Sequence, residues 1–295
     1  MQYLMDIGFD NSSRLCRNVY YFEYKGIRYK LIQNNMRKWC DVLITIVEDD
    51  RLLKNQAYFV ASEFLTALAW QNKSSIKLRP LGGLSIPYNY DIRKAKCRVF
   101  DSPHIPFNSQ SLGYDICEIP EIETEEQRTA LVLFREATSA YNNYLSFLFY
   151  WQVIETKNSD PIGWVNKIYR KDRSRLRISE DEITALPLRG KTLGNYLYND
   201  CRNAIAHIKR KPGEIKLKLD TLEDNMRISI STNIVKEFAN YYIWKELELS
   251  KKMYLIKNSE HKFPTFVTQT YIKKIPCTIA YKRLSPAQIM KKSWR

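Results

Sequence analysis

Residues 124–155, TEEQRTALVLFREATSAYNNYLSFLFYWQVIE, decide the fold class, because here the hydrophobic period of the chain changes from two to between three and four. Ala130, Phe134, Ala137, Tyr141, Tyr144, Leu148 and Trp151 recur at helical spacing. Thr124 and Gln127 match a capping box, and Glu125 and Glu126 sit in the first turn, where carboxylates meet the positive end of the helix dipole. The pattern predicts one helix to about Glu155, roughly 30 residues or ~45 Å long. Six aromatic residues fall between Tyr141 and Trp151 and cover more than one face. A bundle core with a subunit interface accounts for them better than a base-stacking platform does, since aromatic rings are more often buried. Ala137–Ile154 carries no charge, yet Thr138, Ser139, Asn142, Asn143, Ser146 and Gln152 make it too polar for a lipid-facing span.

Upstream, residues 1–118 read as strand-rich. VYYFEYKGIRYKLIQ (19–33) predicts a hairpin turning at Lys25-Gly26, and DVLITIVED (41–49) a further strand. IKLRPLGGLSI and KCRVF add shorter β-like pieces, and QAYFVASEFLTALAWQ (56–71) is the one helix. DSPHIPFNSQSLGYDICEIP concentrates Pro, Ser, Asn and Gly, which places a domain boundary near residue 120. Downstream, a helix is expected over about Asp160–Tyr169, with Asp160 as N-cap and Pro161 in first position. The charged run RKDRSRLRISEDE follows; its Arg170, Lys171, Arg173, Arg175 and Arg177 read either as phosphate contacts or as a solvated connection. Helices are expected over Leu193–Ile208 and Thr232–Tyr254, with EIKLKLD (214–220) and NMRISIS (225–231) between them as an alternating β-hairpin.

The expected architecture is therefore α+β. A β-rich domain over residues 1–120 precedes a helical domain over 121–258 with an inserted hairpin, and 259–295 forms a tail. The chain of 295 residues has a net charge of +15, unevenly placed. Its last 35 residues hold eight basic and no acidic side chains, among them Lys273 and Lys274, which reads as a polyanion contact, nucleic acid before membrane. With 44% hydrophobic residues a sizeable core is available, and no glycine-rich phosphate loop occurs. The six cysteines are never closer than 20 residues apart, so no zinc site or other cofactor is expected. The start, MQYLMDIGFD, lacks a signal peptide's basic region and apolar core; the expectation is a soluble, cytoplasmic protein with no membrane association.

The segment that carries chemistry is YNDCRNAIAH (198–207). On an α-helical wheel Leu193, Leu197, Cys201, Ala204 and Ile208 share an apolar face, and Asn203 and His207 lie together on its flank. Arg202 stands ~140° from His207, outside the buried stripe. Lys209, Arg210 and Lys211 follow at once. A histidine can act as base or acid near neutrality, and an arginine offers a permanent planar cation for phosphate oxygens. Arg98 and His104 have similar spacing, but Pro103 and Pro106 leave no helix to orient them. Glu155 ends the long helix and reads as a salt-bridge partner for the motif.

RNAIAH (202–207) resembles the R-x4-6-H motif of the HEPN superfamily, including its frequent polar residue after the arginine, here Asn203. Together with the aromatic helix ending in FLFYWQVIE, the resemblance covers about 122–256 and is closest in look to bacterial MauJ-like or ApeA-like members. It implies a helical bundle, homodimerisation through the motif-bearing helices, and metal-independent RNA cleavage by Arg202, His207 and Asn203. Cleavage would leave 2′,3′-cyclic phosphate and 5′-hydroxyl ends. The resemblance also implies a setting in bacterial defence or toxin–antitoxin systems, with room for an operon-encoded protein partner. RNA contacts are then expected from Lys209, Arg210, Lys211, Arg173, Arg175, Lys273 and Lys274. A non-catalytic RNA-binding or assembly subunit is the alternative. The name of the MauJ-like group also suggests an accessory role in amine metabolism, but no residue supports that chemistry.

Overall fold

The computed structural model describes residues 2–12, 15–16, 19–33, 41–48, 50–79, 84–87, 116–207, 217 and 221–258. All belong to one unit built from residues 1–90 and 97–260; a second unit, 91–96 with 261–295, lies outside the described residues. KCRVF, the Arg98/His104 pair and the basic tail fall among the undescribed residues.

An antiparallel sheet forms the first layer. β1 (Gln2–Asn11), β2 (Val19–Tyr24), β3 (Ile27–Ile32) and β4 (Asp41–Glu48) stand in the order β1-β4-β3-β2. β2 and β3 meet at the expected turn, where Lys25 (φ 49°) and Gly26 (φ 76°) both take positive φ, as a two-residue hairpin of matching twist requires. One face alternates inward through Tyr20, Phe22 and Tyr24 and is covered by α1 (Arg51–Gln71), where Phe22 stacks on Phe64 at 4.7 Å. α1 starts before the expected Gln56, because Asp50 accepts hydrogen bonds from the Leu52 and Leu53 amides. β5 (Ile76–Leu78) and β6 (Leu84–Pro87) both pair with β1.

α1 is buried on two sides, against the sheet and against the helical layer. β7 (Glu118–Pro120) leads into α2 (Glu125–Ser139), whose capping box from Thr124 and Gln127 is present as expected. The single long helix is not. It breaks at Ala140, whose ψ of 137° is extended, and restarts as α3 (Asn143–Glu155) with Asn142 accepting from the Tyr144 amide at 2.7 Å. The physical reason lies in the aromatic excess. A straight helix leaves one ring face bare, whereas folding back sets Phe134 against Tyr150 at 5.2 Å and ties Ser146 Oγ to the Ala137 carbonyl.

α4 (Pro161–Lys171) begins with Asp160 and Pro161 as expected, and α5 (Glu180–Thr184) begins at the end of the charged run. α6 (Leu193–Asn195), a π-helical stretch over Tyr196–Arg202 and α7 (Asn203–Ala206) form one continuous helical segment. The expected hairpin is corrected: residues 225–231 belong to α8 (Leu222–Tyr241), and of 214–220 only Leu217 is described. The alternation of NMRISIS is coincidental. Arg227, Ile228, Ser231, Thr232, Ile234, Val235 and Phe238 face inward at helical spacing, and Thr221 caps the start through the Asp224 amide. The third bundle helix thus begins ten residues earlier than expected. It ends at Tyr241, passing through a π turn (Tyr242–Glu246) into β8 (Met253–Leu255), which pairs with β7, and β9 (Lys257–Asn258), which pairs with β2.

Candidate functional site

The motif-bearing segment is anchored at its start by a close approach. The Gly194 amide donates to Asn166 Oδ1 at 2.8 Å, and a Cβ on Gly194 would lie 2.5 Å from the Ile162 carbonyl oxygen of α4. The segment then widens into the π turn, a form often found at functional positions. Leu193, Leu197, Cys201 and Ala204 are buried, as the apolar stripe predicts; Ile208 lies outside the described residues.

Beneath the π turn lies a polar network that sequence reading missed. Asp200 is buried and holds the Lys191 ammonium through both carboxylate oxygens, at 2.8 and 2.7 Å. Arg227 rises from α8, donates to the Asp200 carbonyl at 3.1 Å and Tyr196 Oη at 3.4 Å, and grips Asp224 through Nε and Nη2. Burial pushes the Cys201 thiol up to about 11, so it is a packed hydrophobe with Ser231 beside it, not a nucleophile. The only sequence signal for this network was Asp200 two positions before Arg202. Arg227 was hidden in an apparent strand.

Arg202 ends the π turn and is half-buried. Its guanidinium lies 5.6 Å from the Tyr198 ring, 3.3 Å from Asn203 Oδ1 and 3.8 Å from Glu155 Oε1, whose position is set by a 2.7 Å bond from the Trp151 indole. Glu155 is thus the salt-bridge partner expected of it. Asn203 opens α7 next to Arg202, and His207 terminates it. The His207 amide donates to the Asn203 carbonyl at 3.0 Å, its backbone is extended, and its imidazole is exposed with no side-chain partner among the described residues. The structure therefore brings Arg202 and Asn203 into contact and leaves His207 exposed at the helix end. Glu155 also borders an open cavity of about 300 Å³ with Glu125, Glu126 and Gln152.

Of the expected RNA contacts, Arg173 pairs with Glu180 and lies 4.9 Å from the Tyr169 ring, and Arg175 sits 3.9 Å from Asp172. Lys209, Arg210, Lys211, Lys273 and Lys274 lie outside the described residues. Among the described residues no three His, Cys, Asp or Glu side chains group to hold a metal ion, and no helix is long and apolar enough to cross a membrane. The arrangement offers one oriented cation, one amide and one accessible imidazole, suited to holding a phosphodiester and moving a proton.

Residues 130–244 match the protein family described as Methylamine utilization protein MauJ, a HEPN-like family. The matched stretch runs from α2 to the π turn after α8 and so includes the motif. Neither a curated protein nor a solved structure matches the chain.

Proposed function

We propose that the protein is a metal-independent endoribonuclease of HEPN type, acting as a homodimer through its motif-bearing helices. The observation that carries this reading is a contrast around one short segment: Asp200 and the Arg227 of α8 that meets it are buried and engaged, while Arg202 keeps about a quarter of its side chain in solvent and His207 is exposed. In the proposed reaction His207 takes the proton of an RNA 2′-hydroxyl, and the 2′-oxygen attacks the adjacent phosphorus. The bond to the 5′-oxygen breaks, that oxygen takes a proton from water while His207 gives up its own to solvent, and a 2′,3′-cyclic phosphate and a 5′-hydroxyl remain. Arg202 stabilises the charge building on the non-bridging oxygens, and Asn203 holds Arg202 or the phosphate. Lys209, Arg210, Lys211 and the basic tail with Lys273 and Lys274 supply phosphate contacts, and the sheet domain serves a sensor or specificity role. The setting is bacterial defence or a toxin–antitoxin pair, the cytoplasm its location, and an operon-encoded protein a further partner.

A second reading, a non-catalytic RNA-binding or assembly subunit, is favoured by one observation: Arg202 already has Glu155, Tyr198 and Asn203 around it. Mapping of cleavage ends on total RNA, wild type against His207→Ala, separates the two. Cyclic-phosphate ends that disappear in the variant support the nuclease. RNA binding with no cleavage by either protein supports the binding subunit.

A further inference from the structure

The π turn after α8 is closed by the Leu247 amide donating to the Tyr242 carbonyl at 3.1 Å. In this turn Trp244 is 40% exposed, while Tyr241, Tyr242 and Ile243 before it are buried. Its ring is propped by Tyr241 at 5.8 Å and 76°, and Trp164 meets Tyr241 from α4 at 6.2 Å. The cluster is pinned at both ends: the Tyr241 hydroxyl donates to Asp172 Oδ2 at 3.0 Å, and the Trp164 indole donates to Glu246 Oε1 at 3.3 Å.

A single exposed tryptophan means little by itself. The surrounding charge gives it a meaning. Trp164, Lys167 and Lys171 follow one another at i, i+3 and i+7 on one face of α4, and both lysines are exposed. Lys245 Nζ lies 6.0 Å from the Trp244 ring. Among the described residues Lys167, Lys171 and Lys245 have no ion pair, while the two acids facing Tyr241 are engaged, Asp172 by Tyr241 and Arg175 and Glu246 by Trp164. Residues 161–175 hold five basic side chains and one acidic.

An exposed ring with one ammonium group beside it, and two more on the helix packed against its neighbour Tyr241, is an arrangement that takes an unstacked base and its neighbouring phosphates. A duplex hides its base faces and would use only the charges. A membrane surface would need further exposed apolar side chains on this face, and the other large exposed hydrophobics among the described residues lie on other elements. We infer that Trp244 with Lys167, Lys171 and Lys245 forms a contact site for single-stranded RNA, the base stacking on Trp244. This deepens the ribonuclease reading and rests on it for the strand's continuation to Arg202. α4 meets the motif segment at Gly194, eight residues or ~12 Å of helix before Arg202.

The test measures binding of the full chain to a short labelled oligoribonucleotide, single-stranded or annealed to its complement, with cleavage followed separately. Trp244→Ala lowers single-strand affinity roughly 5- to 100-fold, with little change for the duplex, and Trp244→Phe recovers part of that affinity. Lys167→Gln with Lys171→Gln flattens the salt dependence by ~0.7 in slope for each phosphate that is no longer neutralised. Unfolding midpoints check that each variant is folded; if Trp244→Ala is not, Trp244→Phe and the lysine pair carry the test. Wild-type affinity in these variants, equal preference for duplex, or Trp244-dependent binding to phosphatidylserine vesicles in place of RNA overturns the inference. Binding that needs Trp244 without any cleavage leaves this site standing and sinks the nuclease reading; cleavage with Trp244-independent binding does the reverse.

Discussion

Two arginine–carboxylate pairs show how differently this molecule uses the same chemistry. At the junction of sheet and helices, Glu63 of α1 is buried. It accepts from the Tyr24 hydroxyl at 2.8 Å, forms an ion pair with Arg128 of α2 at 2.7 Å, and also pairs with the Lys25 ammonium from the β2–β3 turn. In the motif, Arg202 and Glu155 stand 3.8 Å apart with about a quarter of each side chain in solvent (28% each). The first is a closed cluster in which burial strengthens every pairing and penalises any missing partner. The second is loose, partly screened by water, and contributes little to stability. A protein that needs an arginine for a ligand has to keep it in the second condition, and Arg202 is in that condition.

The sharpest way to break this comparison is to remove both carboxylates in turn. Glu63→Ala should cost about 3 kcal/mol in urea unfolding, because the buried Tyr24 hydroxyl and the Lys25 ammonium lose their acceptor and Arg128 is left with Glu125 alone. Glu155→Ala should cost no more than ~1 kcal/mol. Equal effects would mean that both clusters are structural. Activity supplies the next contrast. Removing the His207 imidazole should slow RNA cleavage ~10²–10⁴-fold while leaving the unfolding midpoint unchanged. Mixing Arg202→Ala with His207→Ala protomers should then restore cleavage if the pair acts across a two-fold axis. A mixed dimer that assembles and stays inactive would refute the cross-protomer arrangement.

Smaller effects sharpen the picture around the motif. Gly194→Ala should cost about 1–3 kcal/mol, since its methyl would press on the Ile162 carbonyl and force α4 and α6 apart. No change in stability would show that the two helices separate freely. Least of all, native Cys201 should react with a thiol reagent far more slowly than the exposed Cys16 and Cys117, which fast labelling at pH 8 would contradict. The sign of its pH effect follows. The folded thiol ionises near 11 and the unfolded one near 9, so the folded state keeps the proton longer. Its contribution is complete below pH 9 and is lost between pH 9 and 11.

Local patterns in the sequence were sufficient for the two-residue turn at Lys25-Gly26, the capping box at Thr124, the Asp160-Pro161 helix start and the apolar stripe under the motif. Each depends on neighbours within a few positions, where backbone preference and side-chain spacing act directly. The fold-back at Ala140–Asn142 and the helical state of residues 225–231 were decided elsewhere. Phe134 needed Tyr150 to cover it, and a polar stretch that alternates like a strand became helical because the buried Arg227, Ser231 and Thr232 found partners in Asp200, Cys201 and the Asn143 carbonyl. The same division holds for the site. Arg202, Asn203 and His207 stand out in the sequence as residue types at a spacing, but their availability does not. The π turn that presents Arg202, the Lys191–Asp200 pair beneath it and the loose hold of Glu155 come from contacts between residues far apart in the chain, whose energies no local pattern encodes.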